Sequence, residues 1–263
     1  MYSLILFTFI LDMKKIGLVL SGGGHRGVAH AGAIKAFEEF GIVPDVVSGT
    51  SAGAVVGAMY AANYTPEEIL AMFKKIKLFS FSYFATRKAG FVNTIAFEKF
   101  LKKYFPDNDF NALSKDLHIT AADICAGTGK VFTSGELIPA ILSSSAVPGV
   151  FTPVDFNGAL YSDGGIINNF PVEPIDEICD EIYGVYVCHL KAMEPKEFKH
   201  SYEVANRAIN LMMHDYSLKQ FDKCKVVVNP SKLSEFGLFG SSQADLMFEI
   251  GYEAAKAKLR ELG

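Results

Sequence analysis

The first 65 residues alternate between short apolar runs and longer stretches of helical periodicity. Ile16-Gly17-Leu18-Val19-Leu20 lies between Lys14-Lys15 and Ser21-Gly22-Gly23-Gly24, which predicts a buried strand feeding a glycine loop. A helix is expected from about Arg26 to Phe40. Its small residues Gly27, Ala29, Ala31, Gly32, Ala33 and Ala36 suit close packing on a sheet, and Gly41 supplies a stop. After Pro44, Val46-Val47 begins a second strand. It leads through Ser48-Gly49-Thr50-Ser51-Ala52-Gly53 into a small-residue helix running to about Tyr64. The order β-α-β-α is that of a parallel sheet with helices on its faces.

Thr65-Pro66-Glu67-Glu68 opens a third helix, with threonine as N-cap, proline at the first helical position and glutamates at the positive end. From Ile76 to Phe110 the texture changes. Aromatic residues are interleaved with Lys and Arg without clean strand periodicity, predicting an irregular, cap-like segment. Such a segment covers the sheet edge or forms an apolar lid or membrane-facing surface suited to acyl chains. Further on, residues 117–122 and 130–132 read as strands and 137–143 as a short helix. Residues 154–160 read as a hairpin turning at Asn157-Gly158. Residues 182–188 form an apolar strand, 201–221 an amphipathic helix, 225–228 a last strand and 242–262 a C-terminal helix. No repeat, low-complexity tract or linker divides the chain.

At 263 residues and 50% hydrophobic content the chain can bury a sizeable core, and one domain over residues 13–263 is expected. The formal net charge of -4 without a long basic run argues against nucleic acid as a partner. Cys125, Cys179, Cys188 and Cys224 contain no C-x-x-C pair. That disfavours a disulfide framework and a zinc knuckle, and suggests reduced thiols in a cytoplasmic setting. Residues 1–12 are an apolar extension lacking a basic n-region and a cleavage site, and too short to span a bilayer. The natural start is either Met13, or the extension serves as an edge strand, an interfacial anchor or an oligomer contact.

Candidate chemistry lies in three loops. Gly22-Gly23-Gly24-His25-Arg26-Gly27 matches G-x-G-x-x-G between a strand and a helix, the context of a dinucleotide site. The acidic residue expected at the end of the second strand is missing there, since Asp45 precedes that strand. The same glycine-rich loop presents backbone N–H groups at a helix N-terminus, where they bind an oxyanion as readily as a phosphate. Arg26 either meets a phosphate headgroup or is a solvated surface cation. Gly49-Thr50-Ser51-Ala52-Gly53 is a G-x-S-x-G elbow, in which a sharp turn exposes a serine hydroxyl. Ser51 needs a base. His189, His200 and His214 lack a distinctive loop context, whereas Asp163 follows a strand-like run and precedes Gly164-Gly165. Taken alone, that Asp-Gly is a turn signal; beside the other two loops it becomes the candidate base.

Together with Ser144-Ser145-Ala146-Val147-Pro148-Gly149-Val150-Phe151, this set resembles the patatin-like phospholipase family in order and spacing over about residues 15–174. The resemblance implies a three-layer α/β/α fold with a mostly parallel central sheet. It also implies a Ser-Asp dyad of Ser51 and Asp163, with the glycine-rich loop as oxyanion hole. An acyl lipid substrate is expected, with peripheral membrane contact and no metal or cofactor. Two other readings stay open: an acyltransferase on the same dyad, and a non-catalytic binder of a nucleotide, another anion or a lipid.

Overall fold

A computed structural model describes residues 14–76, 94–237 and 243–262. The apolar extension at residues 1–12 and much of the aromatic segment lie outside them. The expected strands form at β1 (Ile16–Leu20), β2 (Val46–Thr50), β3 (Asp116–Asp123) and β4 (Thr128–Phe132). They continue with β5 (Val154–Phe156), β6 (Ala159–Asp163), β7 (Glu181–Val185) and β8 (Val226–Val228). The helices are α1 (Val28–Glu39), α2 (Ala52–Ala61), α3 (Pro66–Lys75) and α4 (Thr94–Leu101). They are followed by α5 (Leu137–Ser144), α6 (Ser201–Leu218) and α7 (Ala244–Arg260).

The sheet runs β5-β6-β3-β2-β1-β7-β8, with β4 on β3. Strands β3, β2, β1, β7 and β8 are mutually parallel, while β4, β5 and β6 add antiparallel pairings at one side. The sheet is thus mostly parallel and flanked by helices, as expected for an α/β chain. The hairpin turns at Asn157 (φ 52°) and Gly158 (φ 78°), the left-handed pair a two-residue turn needs.

Leu18, Leu20 and Val47 point to one face, where they pack with buried residues of α1, α2, α3, α5 and α7. Helices α1 and α7 cross without room for a side chain at Gly32 or Gly251, since a Cβ at either would strike backbone of the other helix. Val19, Val46 and Ile182 point to the opposite face and are covered by Phe170, Val172 and Ile175, with Phe221 packed alongside. This covering is mostly turns, so the second outer layer is thinner than the first.

Thr65 caps α3 through a reciprocal capping box with Glu68, with Pro66 at the first position. The aromatic segment departs from the irregular expectation in one part. Residues 94–101 form α4, and Leu101, Phe105 and Phe110 enter the core. Phe97, Phe100 and Leu101 have the i, i+3, i+4 spacing of one helix face, and that stripe packs on the core.

Candidate functional site

Strand register brings the three loops together. Leu20 pairs with Gly49, so the glycine loop and the elbow leave neighbouring strands at the same C-terminal edge, where α/β sheets place their ligands. Thr50 pairs with Thr120 on β3, and the next β3 residue, Ala121, pairs with Asp163. Strand β6 therefore takes over the β3 edge just where β2 ends. Asp163 is carried to the level of Ser51, although 112 positions of sequence separate the two.

The glycine loop is braced from several sides. Ser21 N–H donates to Val185 O (3.1 Å), and Gly22 N–H to Asn169 O (3.0 Å). The Ser21 hydroxyl accepts from Val187 N–H (3.0 Å) and donates to Gly22 O (2.9 Å). Buried His30 meets Ser21 O through Nε2 at 2.8 Å, and burial lowers its pKa to about 4. The Gly22 amide is therefore committed. Among the described residues the Gly23 and Gly24 amides have no backbone acceptor, ahead of a short 3-10 turn, Gly24–Gly27, that runs into α1.

Ser51 sits at the elbow's apex with φ 53° and ψ -119°, a conformation that costs an L-residue energy. Three hydroxyls clamp the chain around it. Ser51 N–H donates to Ser144 Oγ (2.8 Å), which donates to Thr120 O (2.6 Å). Thr50 Oγ1 donates to Asn168 O (2.8 Å), and Ser48 Oγ to Pro171 O (2.7 Å). Gly49 and Gly53 are required by close approach. A Cβ at Gly49 would lie 2.5 Å from Gly53 O, and one at Gly53 would strike the Leu20 carbonyl. Gly27 abuts Ala52, where an added Cβ would lie 2.6 Å from the alanine Cβ.

Asp163 ends β6 and caps the 3-10 turn Gly164–Ile166, its Oδ1 accepting from Gly165 N–H at 2.8 Å. Its own N–H donates to Ala146 O (3.0 Å). Gly164 passes so close to the Thr120 carbonyl that no side chain fits. Asp163 is buried, with 7% of its surface exposed. Burial raises its pKa from 3.8 to about 6, against the lowering effect of the nearby Ser51 hydroxyl and of the Gly165 amide.

Ser51 opens into a cleft of about 490 Å³, measured to its open mouth. Val55, Phe73, Ile76, Phe97, Val147 and Phe151 make its walls almost wholly apolar. His25 also lines it, edge-on to Phe73 at 5.7 Å between ring centres. Burial lowers the His25 pKa, and its Nε2 has no hydrogen-bond partner. Arg26 is turned away from this cleft: its Nε donates to Phe236 O at 2.8 Å, tying the loop to the C-terminal part of the chain. His214 pairs with the Tyr186 hydroxyl at 2.9 Å, and its ring stands 6.4 Å from that of His189.

Sequence reasoning missed the roles of Ser144, Asn168 and Asn169. Their signal was present as a run of three serines, Ser143-Ser144-Ser145, at the end of an apolar helix and an asparagine pair following Gly164-Gly165-Ile166-Ile167, but neither pattern specifies a backbone partner. Cys125, Cys179, Cys188 and Cys224 are free thiols. No helix among the described residues is long and apolar enough to cross a membrane.

The family model for patatin-like phospholipase matches residues 18–176, which include all three loops. Lysophospholipase NTE1 of Candida albicans is 32% identical over 172 residues, or 62% of this chain and 12% of that protein. Its counterpart in Neurospora crassa is 31% identical over 192 residues, or 70% of this chain and 13% of that one. The chain thus spans about an eighth of the length of these relatives. VipD from Legionella pneumophila shares the fold at a TM-score of 0.57 with 16% identity, over 94% of this chain and 67% of that one. With its glycine loop, elbow and aspartate turn inside the matched region, the chain belongs to the patatin-like phospholipase family.

Proposed function

We propose that the protein is a serine lipid acyl hydrolase that cleaves carboxylic esters of phospholipids, lysophospholipids or related acyl lipids. The observation that carries this reading is a conformationally strained Ser51 that opens into an apolar cleft and stands close enough to the buried Asp163 to influence its titration. Asp163 takes the serine proton as Oγ attacks the ester carbonyl, so that one C–O bond forms while the carbonyl π electrons move onto oxygen. The Gly23 and Gly24 amides, free of backbone acceptors, receive that oxyanion at the N-terminal end of the turn into α1. Collapse of the tetrahedral adduct expels the alcohol, which takes the proton from Asp163. Water, deprotonated by the same carboxylate, then resolves the acyl-serine and returns Ser51 protonated. A carboxylate is ordinarily too weak a base for this, and burial to a pKa of about 6 strengthens it.

The apolar walls suit an acyl chain, and the relatives named lysophospholipases favour the same substrate class. Contact with a lipid surface is then peripheral. Fluorophosphonate labelling tests the nucleophile. Wild type should label and hydrolyse a fatty-acyl ester, while Ser51→Ala should lose labelling and at least about 10⁴-fold in turnover with the fold kept. Labelling or turnover that survives the substitution sinks the assignment.

A further inference from the structure

The cleft at Ser51 is apolar, but not uniformly so. Besides Ser51, its polar side chains are His25 and Ser145, and no charged residue lines it. Each of the two carries a buried atom without a hydrogen-bond partner, His25 Nε2 and Ser145 Oγ. Among the described residues these are the unpartnered buried groups whose residues line the cleft. A folded chain rarely leaves a buried donor or acceptor unpaired, because the hydration it loses is not replaced. A partner from outside the chain accounts for both.

Both residues stand one position from groups that serve the reacting atoms. His25 follows Gly23-Gly24, whose amides receive the oxyanion in the proposed chemistry, and it is 2% exposed. Ser145 follows Ser144, whose hydroxyl accepts from Ser51 N–H. Ser145 N–H donates to Ile141 O (3.0 Å) and Ser145 O accepts from Val147 N–H (2.9 Å), so its backbone is committed while its hydroxyl is not. The chemistry of the pair narrows what they bind. A phosphate or carboxylate would need a cation, which the lining lacks, and burial favours the neutral form of the His25 imidazole. The ester carbonyl oxygen is already assigned to the glycine-loop amides. A hydroxyl fits both atoms, because it donates and accepts and so pairs with a serine and with Nε2 in either tautomer.

We infer that His25 and Ser145 are specificity-determining residues that hydrogen-bond a free hydroxyl carried by the substrate beside the scissile ester. The inference rests on the acyl hydrolase reading, and it goes beyond that reading by naming the polar group the substrate must bear. That hydroxyl lies on the alcohol side, as in a monoacyl glycerolipid, or on the acyl side, as in a β-hydroxyacyl ester. The hydrogen bonds are the same in either case.

Two matched pairs of esters, assayed below their critical micelle concentrations, test it. One pair is a monoacyl glycerophosphocholine and its analogue with hydrogen in place of the glycerol hydroxyl. The other is a β-hydroxyacyl nitrophenyl ester and the plain acyl ester of the same length. Wild type should favour the hydroxylated member of one pair by about 10–100-fold in kcat/KM, since without it two buried groups stay unpaired. The pair that shows the preference tells which side of the ester bears the hydroxyl. His25→Leu and Ser145→Ala should each lower that ratio by at least about threefold, whereas His25→Gln, which restores a hydrogen-bonding group, should keep most of it. Each ratio is internal to one variant, so a general loss of activity does not mimic the effect. A wild-type ratio near one in both pairs, beside intact fluorophosphonate labelling, would overturn the inference alone. So would an unchanged ratio in His25→Leu or in Ser145→Ala, or a His25→Gln ratio as low as that of His25→Leu. If wild type neither labels nor turns over any of the esters, the hydrolase reading fails and the inference falls with it.

Discussion

The elbow at residues 49–53 and the aspartate turn at 163–165 meet at one point, yet each holds its side chain at a different energetic cost. Ser51 is held by backbone: φ 53° is forced by the strand-to-helix turn and locked by Ser144. Its side chain is ordinary. Asp163 has the reverse balance, with an unstrained φ of -51° and a carboxyl taken out of water. A nucleophile must project from its strand, which is a matter of geometry. A carboxylate base must be made stronger, which is a matter of solvation. Substitutions that relax one cost without touching the other should therefore separate the two.

The largest separation is expected from Asp163→Asn. Loss of the proposed base should lower kcat/KM by about 10³–10⁴-fold. The same change should raise stability, with a defined pH dependence. The folded carboxyl titrates near 6 and the unfolded one near 3.8, so the native state binds more protons between these values. Wild-type stability from this group is therefore fullest below about pH 4, falls as pH rises toward 6, and stays low above it. The asparagine variant escapes that loss, by about 2–3 kcal/mol at pH 8 and by little at pH 4. Urea titrations at the two pH values measure it; an equal effect at both would show that desolvation is not what sets Asp163 apart. In wild type, kcat/KM should climb with pH through a limb near 6.

Next comes Ser144→Ala, which acts on the elbow alone. Ser144 is fully buried, and its loss leaves the Ser51 amide and the Thr120 carbonyl without their partner. The cost should be about 1–3 kcal/mol in stability, with kcat falling more than KM rises as the elbow loosens. Fluorophosphonate labelling rates, read beside urea midpoints, check both parts. A stability loss with unchanged labelling would mean that the clamp only supports the fold.

The two halves of this comparison were unequally legible in the sequence. Ser51 announced itself locally, because a strand, two glycines and a small-residue helix are all within a dozen positions. The β1 and α3 boundaries were readable for the same reason, through short-range patterning and a capping box. Asp163 had only a turn signal of its own, and its nearness to Ser51 depends on β6 succeeding β2 along the edge of β3. No local pattern encodes that succession; the family resemblance supplied it. Ser144 was invisible as a clamp because its partners are backbone atoms 93 and 24 residues away. Helix α6 shows a related limit: Val204, Ile209, Leu211 and Met212 stay exposed on it, and periodicity shows that a helix has two faces, not which one the rest of the chain will cover.

The smallest expected effect isolates the strain itself. Ser51→Ala and Ser51→Gly both remove the hydroxyl near Asp163, so their difference reports the backbone. Alanine must keep φ near 53° at the cost serine bears, whereas glycine adopts it freely. Relief of strain should give glycine about 1–3 kcal/mol, and the greater freedom of its unfolded chain should take back roughly 0.5–1 kcal/mol. The net expectation is that Ser51→Gly is more stable than Ser51→Ala by about 1 kcal/mol, read as a shift in urea midpoint at constant slope. Equal midpoints would place the elbow's cost elsewhere and leave Asp163 as the only residue of the pair that destabilises the fold it serves.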